Sequence, residues 1–273
     1  MKAPPFDYTR ARTHDEVFAL LAQHGDDARI LAGGQSLLAS LNLRLSEPRL
    51  LVDITHLPNL SAITLEAETL RIGALTRHVD IERSPVIAQH APLLAQAVRH
   101  VAHPAIRNRG TIGGSLCLND PAAEYPTCAV ALGATIRLRS AQGLRDIPAE
   151  SFFQGVYATA LRPGELLDSI AIPILQPGHR SVFRELARRH GDYAMVGLAI
   201  HGPAETPKIV FLAIGNGPTI AHHAAAALPQ GIPAAQAALA QDLDCAGDLQ
   251  AAPATRLHLA RVLLGRALTE FTA

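Results

Sequence analysis

Two glycine pairs in this chain stand beside hydroxyl residues, a combination suited to holding an anion. The first lies in "ILAGGQSLLASL", residues 30–41, where Gly33-Gly34 is followed by Ser36. The second lies in "RNRGTIGGSLC", residues 107–117, where Thr111 and Ser115 flank Gly113-Gly114. Glycine admits positive φ and lets a ligand reach the main chain, and successive unpaired N–H groups make a concavity that receives phosphate oxygens. Two such loops acting together suit a pyrophosphate. Neither is a G-x-G-x-x-G fingerprint, and neither has the Gly-Lys-Ser/Thr of a P-loop, so a Rossmann crevice and phosphoryl transfer are both unsupported. Taken alone, either pair reads first as a tight turn. The recurrence of pair plus hydroxyls is what favours a ligand.

Other reactive residues point to little chemistry of their own. Cys117, Cys128 and Cys245 are the only cysteines and have no C-x-x-C spacing, too few for a four-cysteine iron–sulfur site. The 13 histidines include His100, His103 and the adjacent pair His222-His223, with no carboxylate or cysteine at ligand spacing. No metal site is expected, nor a Ser-His-Asp constellation. A bound cofactor would have to supply any redox chemistry.

The elements that position the glycine pairs follow from periodicity. In "THDEVFALLAQHG", residues 13–25, Thr13 and Glu16 have capping-box spacing, Val17, Leu20 and Leu21 share a face, and Gly25 ends the helix. Strands "FDYT", "ARILAG" and "LLVDI" around it make a small βαβ-type unit over residues 1–56. "SAITLEAETLRIGAL" predicts a hairpin turning at Ala67-Glu68. "APLLAQAVRHVA" predicts a helix with the stripe Leu94, Ala97, Val98 and Val101, stopped before Pro104. "ATIRLRS", "LRDIPAE" and "ELLDSIAIPI" then read as strands, completing an α+β unit over residues 57–176. Past Pro177-Gly178, three more strands lead into an alanine-rich tail, helical where Leu257, Ala260, Leu264, Ala267 and Phe271 recur. Residues 177–273 form this third unit.

Composition sets the outer bounds. With 273 residues, and 24 basic against 24 acidic side chains, the chain has a sizeable core and no net field to draw it to nucleic acid or an anionic membrane. The opening "MKAPPFDYTR" has no apolar leader core, and no apolar run reaches ~18 residues, so no membrane insertion and a soluble cytoplasmic protein are expected.

Five ordered segments, "ILAGGQSLL", "IGALTRH", "HPAIRNRGTIGGSLCLNDPAAEYP", "LRPGELL" and "RRHGDYAMVG", resemble the FAD-binding medium subunits of the xanthine dehydrogenase and carbon monoxide dehydrogenase family. The resemblance implies an α+β, FAD-binding fold of the vanillyl-alcohol oxidase type, two subdomains followed by a small C-terminal sheet-plus-helices domain. It makes Ile30, Leu31, Ala32, Gly33, Gly34, Gln35, Ser36 and Leu37 one wall of the FAD site, with Gly33, Gly34 and Ser36 at the pyrophosphate. Thr111, Gly113, Gly114 and Ser115 make the other wall, Glu124 falls where relatives often have an aspartate that contacts the cofactor's polar chain, and Leu161 and Tyr193 fall near the isoalloxazine. From the residues alone, Leu161 also reads as core and Tyr193 as a turn residue.

Two positions depart from the family's pattern. Ser115 stands where many relatives have asparagine, and Glu185 lies where relatives often have a lysine, which leaves a cation near the flavin to Arg184, Arg188 or Arg189. With no histidine marked at the ring, FAD is expected to be non-covalent. The resemblance further implies an electron-transfer subunit that passes electrons from 2Fe-2S clusters of a small iron–sulfur subunit through FAD to an acceptor. A large molybdopterin subunit would hold the molybdenum cofactor, and the whole would be a dimer of heterotrimers. Two alternatives stand beside this: a self-contained flavin oxidase of the vanillyl-alcohol oxidase type, and a non-catalytic subunit that keeps the fold without the flavin.

Overall fold

A computed structural model describes residues 2–273. The first unit runs β1 (Asp7–Arg10), α1 (His14–His24), β2 (Ala28–Leu31), α2 (Leu37–Asn42) and β3 (Leu50–Asp53). Its three strands are parallel in the order β1-β3-β2, as a βαβ connection requires. Thr13 caps α1 by accepting the Glu16 N–H at 3.1 Å, and Gly25 ends it at φ 51°. The Glu16 carboxylate accepts from the Arg12 N–H, one residue before the expected capping-box donor. Val17, Val52, Ile54 and Leu60 build the core of this unit.

The second unit opens with the hairpin β4 (Ile63–Glu66) and β5 (Thr69–Gly73), turning at Ala67, φ 51°. Short helices follow: α3 (His78–Arg83), α4 (Pro85–His90), α5 (Pro92–Ala97), α6 (Pro104–Arg107), α7 (Ile112–Leu118) and α8 (Glu124–Ala131). The chain then returns through β6 (Thr135–Ser140), β7 (Gly143–Pro148), α9 (Ala149–Phe152), β8 (Phe153–Gly155), β9 (Ala158–Thr159) and β10 (Leu166–Pro173). Five antiparallel strands lie in the order β4-β5-β10-β6-β7, and the helices pack Leu93, Leu94, Leu116 and Tyr125 into their core.

Two expectations are corrected here. The predicted helix through Val101 stops at Ala97 and tightens into turns that end at Ala102, φ 42°. The Arg107 guanidinium takes the freed carbonyls of Val101 and Ala102 at 3.1 Å each, and the stripe residues Val98 and Val101 stay buried. The second glycine pair, expected as a loop, forms the first turn of α7, capped by Thr111.

The third unit has the antiparallel sheet β11 (His179–Ala187), β12 (Ala194–Pro203), β13 (Lys208–Leu212) and β14 (Thr219–Ile220), in that order. Helices α10 (His222–Ala227), α11 (Ile232–Asp242) and α12 (Pro253–Thr272) cover one face. On the other, Phe183, Ala199, Val210 and Leu212 join the core of the second unit. Among the described residues no helix is long and apolar enough to cross a membrane.

Candidate functional site

The two glycine segments meet. A Cβ on Gly33 would lie 2.3 Å from the Arg109 carbonyl oxygen and 2.8 Å from the Gly110 Cα, so the first unit touches the second through backbone at a spacing only glycine permits. Ala32, Gly33, Thr55, Arg77, Arg109 and Thr111 line a cleft at this junction. Gly34 is left-handed, φ 72°, and its turn leads straight into α2.

Backbone donors in the first segment are free. None of the N–H groups of residues 32–37 finds an acceptor among the described residues, although the carbonyls of Gly34 and Ser36 receive bonds from Leu38 and Ser40. Such a run of unmatched donors is rare where backbone is partly buried. The Gln35 amide folds back onto the Gly33 carbonyl at 2.8 Å and stiffens the turn. Ser36 precedes α2 without a side-chain capping bond, so its exposed hydroxyl is uncommitted. Ile30 packs into the core of the first unit, and the Leu31 side chain lies where a Cβ on Gly34 would meet it at 3.1 Å. Leu37 is the first residue of α2.

In the second segment the donors of residues 112–115 are taken. The Ile112 N–H donates to Thr76 O, the Gly113 N–H to Ala74 O at 2.9 Å, and the Gly114 N–H to Thr111 Oγ1 at 3.2 Å. Gly113 owes its identity to packing, since a Cβ there would lie 2.7 Å from both the Cβ and the carbonyl oxygen of Ala74. Gly114 is exposed and would touch only Thr111 Oγ1, at 3.0 Å. This wall therefore offers a bare Cα at Gly114, the proton of the Thr111 hydroxyl, and a Ser115 hydroxyl with no protein partner.

Buried polar groups hold the cleft in place. Arg107, 7% exposed, makes a two-pronged ion pair with Glu82 at 3.0 and 3.3 Å. Beside it His78 packs against Tyr125, ring centroids 5.2 Å apart, and occupies the space a Cβ on Gly110 would need. Burial, reinforced by the Arg107 charge, drops the His78 imidazole to about 4, so it is neutral. At the end of β3, burial works to raise the Asp53 carboxyl, but hydrogen bonds from Thr55, Tyr8 and Arg10 together bring it down to about 2.

Helix α7 spans about 10 Å and connects this cleft to a second group of residues. Its C-cap, Asn119, is left-handed at φ 48° and donates to the carbonyls of Gly155 and Ala158 at 2.7 and 3.0 Å, which fixes the loop carrying Tyr157. Tyr157 reaches the Asp120 carboxylate at 3.4 Å. The phenol of Tyr193, a residue 71% exposed, is raised by partial burial and by the charges of Asp120 and Glu124. Burial pushes Glu124, with Asp120 adding to it, up to about 7, and pushes Glu185, with Glu124 adding to it, up to about 8. Glu185 Oε2 is buried without a partner. Arg184, the neighbouring candidate cation, pairs with Glu270 on α12 and is committed there. Leu161 is half-buried against the core of the second unit.

Ala32, Gly33 and Thr111 are therefore brought to one cleft, with Gly34 and Ser36 following Gly33 in the chain and Gly113, Gly114 and Ser115 following Thr111 on α7, while Glu124 and Tyr193 belong to another group beyond α7. Sequence reasoning missed Thr55, Arg77 and Arg109 in the first place and Asp120 and Tyr157 in the second. Arg77 and Arg109 had a signal, since each lies inside a segment quoted for the resemblance.

The family described as the FAD binding domain in molybdopterin dehydrogenase matches residues 4–175, and the CO dehydrogenase flavoprotein C-terminal domain matches residues 181–271. The 6-hydroxypseudooxynicotine dehydrogenase complex subunit alpha of Paenarthrobacter nicotinovorans is 47% identical over 73% of this chain and 67% of its own length. The carbon monoxide dehydrogenase medium chain of Hydrogenophaga pseudoflava is 39% identical over 73% of this chain and 70% of its own. Among solved structures, carbon monoxide dehydrogenase from the same organism superposes with a TM-score of 0.95 at 34% identity, covering 99% of this chain and 98% of that one. Quinoline 2-oxidoreductase from Pseudomonas putida 86 gives 0.94 at 35%, covering 100% and 98%. These relatives are subunits of multi-subunit oxidoreductases, and this chain belongs to their family of FAD-binding medium subunits of molybdenum hydroxylase-type dehydrogenases.

Proposed function

We propose that the chain grips the FAD pyrophosphate between residues 32–37 and residues 111–115 and serves as the outlet of a larger electron path. One observation carries this reading: the free N–H groups of residues 32–37 begin at a cleft lined by Ala32 and Gly33 on one side and Thr111 on the other, with the exposed, bare Gly114 in the first turn of the helix that Thr111 caps. Bound FAD would accept electrons from 2Fe-2S clusters of a small partner subunit, itself fed by a molybdopterin subunit, and pass them singly or in pairs to an acceptor. The chain's own part is to bind and orient. Gly33, Gly34 and Ser36 supply main-chain donors and a hydroxyl, Thr111 and Ser115 supply hydroxyls, and Gly113 keeps α7 seated on Ala74 so that those hydroxyls stay aimed. Glu124, Leu161 and Tyr193 are assigned to the flavin-bearing half of the ligand. At neutral pH Glu185, raised to about 8, is mostly protonated and Glu124, raised to about 7, is about half protonated, so this region carries less negative charge than its composition suggests.

The clusters belong to a partner in this reading. Among the described residues no three His, Cys, Asp or Glu side chains come together as a metal site, and burial pushes the Cys117 thiol up to about 12. Working boundaries between the units fall near residues 56 and 176, and the assembly is a dimer of heterotrimers. The test is purification. The chain should be yellow and release FAD, not FMN, on denaturation, and should co-purify with iron–sulfur and molybdopterin subunits when the three are co-expressed. Colourless protein that cannot be reconstituted with FAD would overturn the reading.

A further inference from the structure

The glycine cleft carries two cations that the expected phosphate contacts do not include. Arg77 and Arg109 line it, and no Asp or Glu does. In a chain with equal numbers of acidic and basic side chains, this is a local excess of positive charge. Among the described residues neither guanidinium makes an ion pair or a hydrogen bond, whereas Arg107, Arg139 and Arg145, on the same unit, are all paired with carboxylates. Asp53, the nearest carboxylate in sequence to the lining residue Thr55, is committed to Tyr8, Arg10 and Thr55.

Their backbones are fixed on either side of the opening. Arg77 pairs with Thr111 as an isolated antiparallel bridge, the His78 N–H donates to Gly110 O at 3.0 Å, and the Arg109 carbonyl abuts Gly33. Both residues are exposed, so the fold does not depend on their side chains. Two guanidinium forks anchored beside free main-chain donors match a group with several phosphoryl oxygens better than a neutral one.

We propose that Arg77 and Arg109 are positioning residues that clamp the pyrophosphate of FAD and select it over flavins with one phosphate or none. This rests on the pyrophosphate reading of the cleft. The experiment takes the full chain, stripped of flavin, and follows flavin fluorescence on titration with FAD, FMN and riboflavin. Arg77→Gln and Arg109→Gln should each weaken FAD binding about tenfold, the scale of one charge-assisted bond. Riboflavin binding should be unchanged, the salt dependence of FAD binding should flatten, and melting temperature should hold. Arg109→Lys should restore part of the loss. The rate of FAD release from the chain as purified gives a second readout that needs no stripping and should rise in both Gln variants. Wild-type FAD affinity in the double variant, or an equal loss for riboflavin, would overturn the clamp alone. A wild-type chain that binds riboflavin and FAD equally would overturn the pyrophosphate reading and the clamp together.

Discussion

Replacing Gly33 by alanine separates packing from ligand contact at the cleft. The added Cβ would sit 2.3 Å from the Arg109 carbonyl oxygen, against an ordinary contact of 3.4 Å or more, and the atoms in its way are backbone. Residues 32–34 and 109–110 must therefore part by about 1 Å, and overpacking of this kind costs about 1–3 kcal/mol. At roughly 2–4 °C per kcal/mol for a chain of this size, Gly33→Ala should melt roughly 2–12 °C lower. The same displacement carries the Gly33 and Gly34 N–H groups out of hydrogen-bond range of one ligand position. Losing one bond to a charged group costs about 1.5–3 kcal/mol, so FAD affinity should fall about 10- to 150-fold. Gly114→Ala is the counterpart. Its Cβ meets only Thr111 Oγ1, at 3.0 Å, a contact that a shift of a few tenths of an ångström relieves without losing the cap, and alanine favours a helix by about 1 kcal/mol over glycine, so stability should hold or rise while FAD binding still weakens. Differential scanning fluorimetry of the flavin-free chains and fluorescence titration with FAD read the two effects separately. A Gly33→Ala variant that melts and binds FAD like the wild type would refute the close-packed cleft. A Gly114→Ala variant that keeps full affinity would remove Gly114 from the ligand wall.

Other expectations concern the supports of the site. Arg107→Ala leaves Glu82 partly buried without its partner and frees the carbonyls of Val101 and Ala102, so a loss of about 3–5 kcal/mol is expected by chemical denaturation; a loss under about 1 kcal/mol would show that the pair is not a support. Glu124 and Glu185 bind protons more tightly folded, at about 7 and 8, than their ordinary 4.5, so their contribution is complete below about pH 4.5 and is lost as pH rises through 7 and 8. His78 and His201, held at about 4 chiefly by burial, act in the opposite sense and remove stability as pH falls below 6.5. The flavin-free double variant E124Q/E185Q should therefore lose the decline in melting temperature as pH rises from about 4.5 to 8 and keep the fall on acidification below about 6.5; an unchanged slope from about pH 4.5 to 8 would count against a buried carboxyl pair. Asn119→Ala should loosen the loop bearing Tyr157, read as faster proteolysis at residues 155–158, since it removes both bonds to that loop and a side chain that tolerates φ 48°.

Much of the fold was legible in the sequence because its signals are local. The cap at Thr13, the stop at Gly25, the hairpin at Ala67 and the strand before Pro177 all depend on neighbours a few residues away. What misled was tertiary. The stripe through Val101 is buried as its period requires, yet α5 ends at Ala97 and the chain continues in turns to Ala102, where Arg107, from beyond the turn, donates to the carbonyls of Val101 and Ala102. The second glycine pair reads as an open loop, but Ala74 and Thr76 supply carbonyl partners that draw it into a helix, a contact no local pattern announces. For the candidate site, the glycines and hydroxyls stood out by composition, whereas Arg77, Arg109 and Thr55 look like ordinary surface polar residues until the chain brings them to one cleft.

The most direct test of the account is a crystal structure of the chain, or of its assembly, with FAD bound. The pyrophosphate should lie at the cleft between Gly33 and Thr111, its oxygens within hydrogen-bond distance of main-chain N–H groups of residues 32–37 and of the Thr111 or Ser115 hydroxyls, with Gly114 Cα facing the phosphate. Diphosphate oxygens bound elsewhere, with the N–H groups of residues 32–37 left to water, would contradict it.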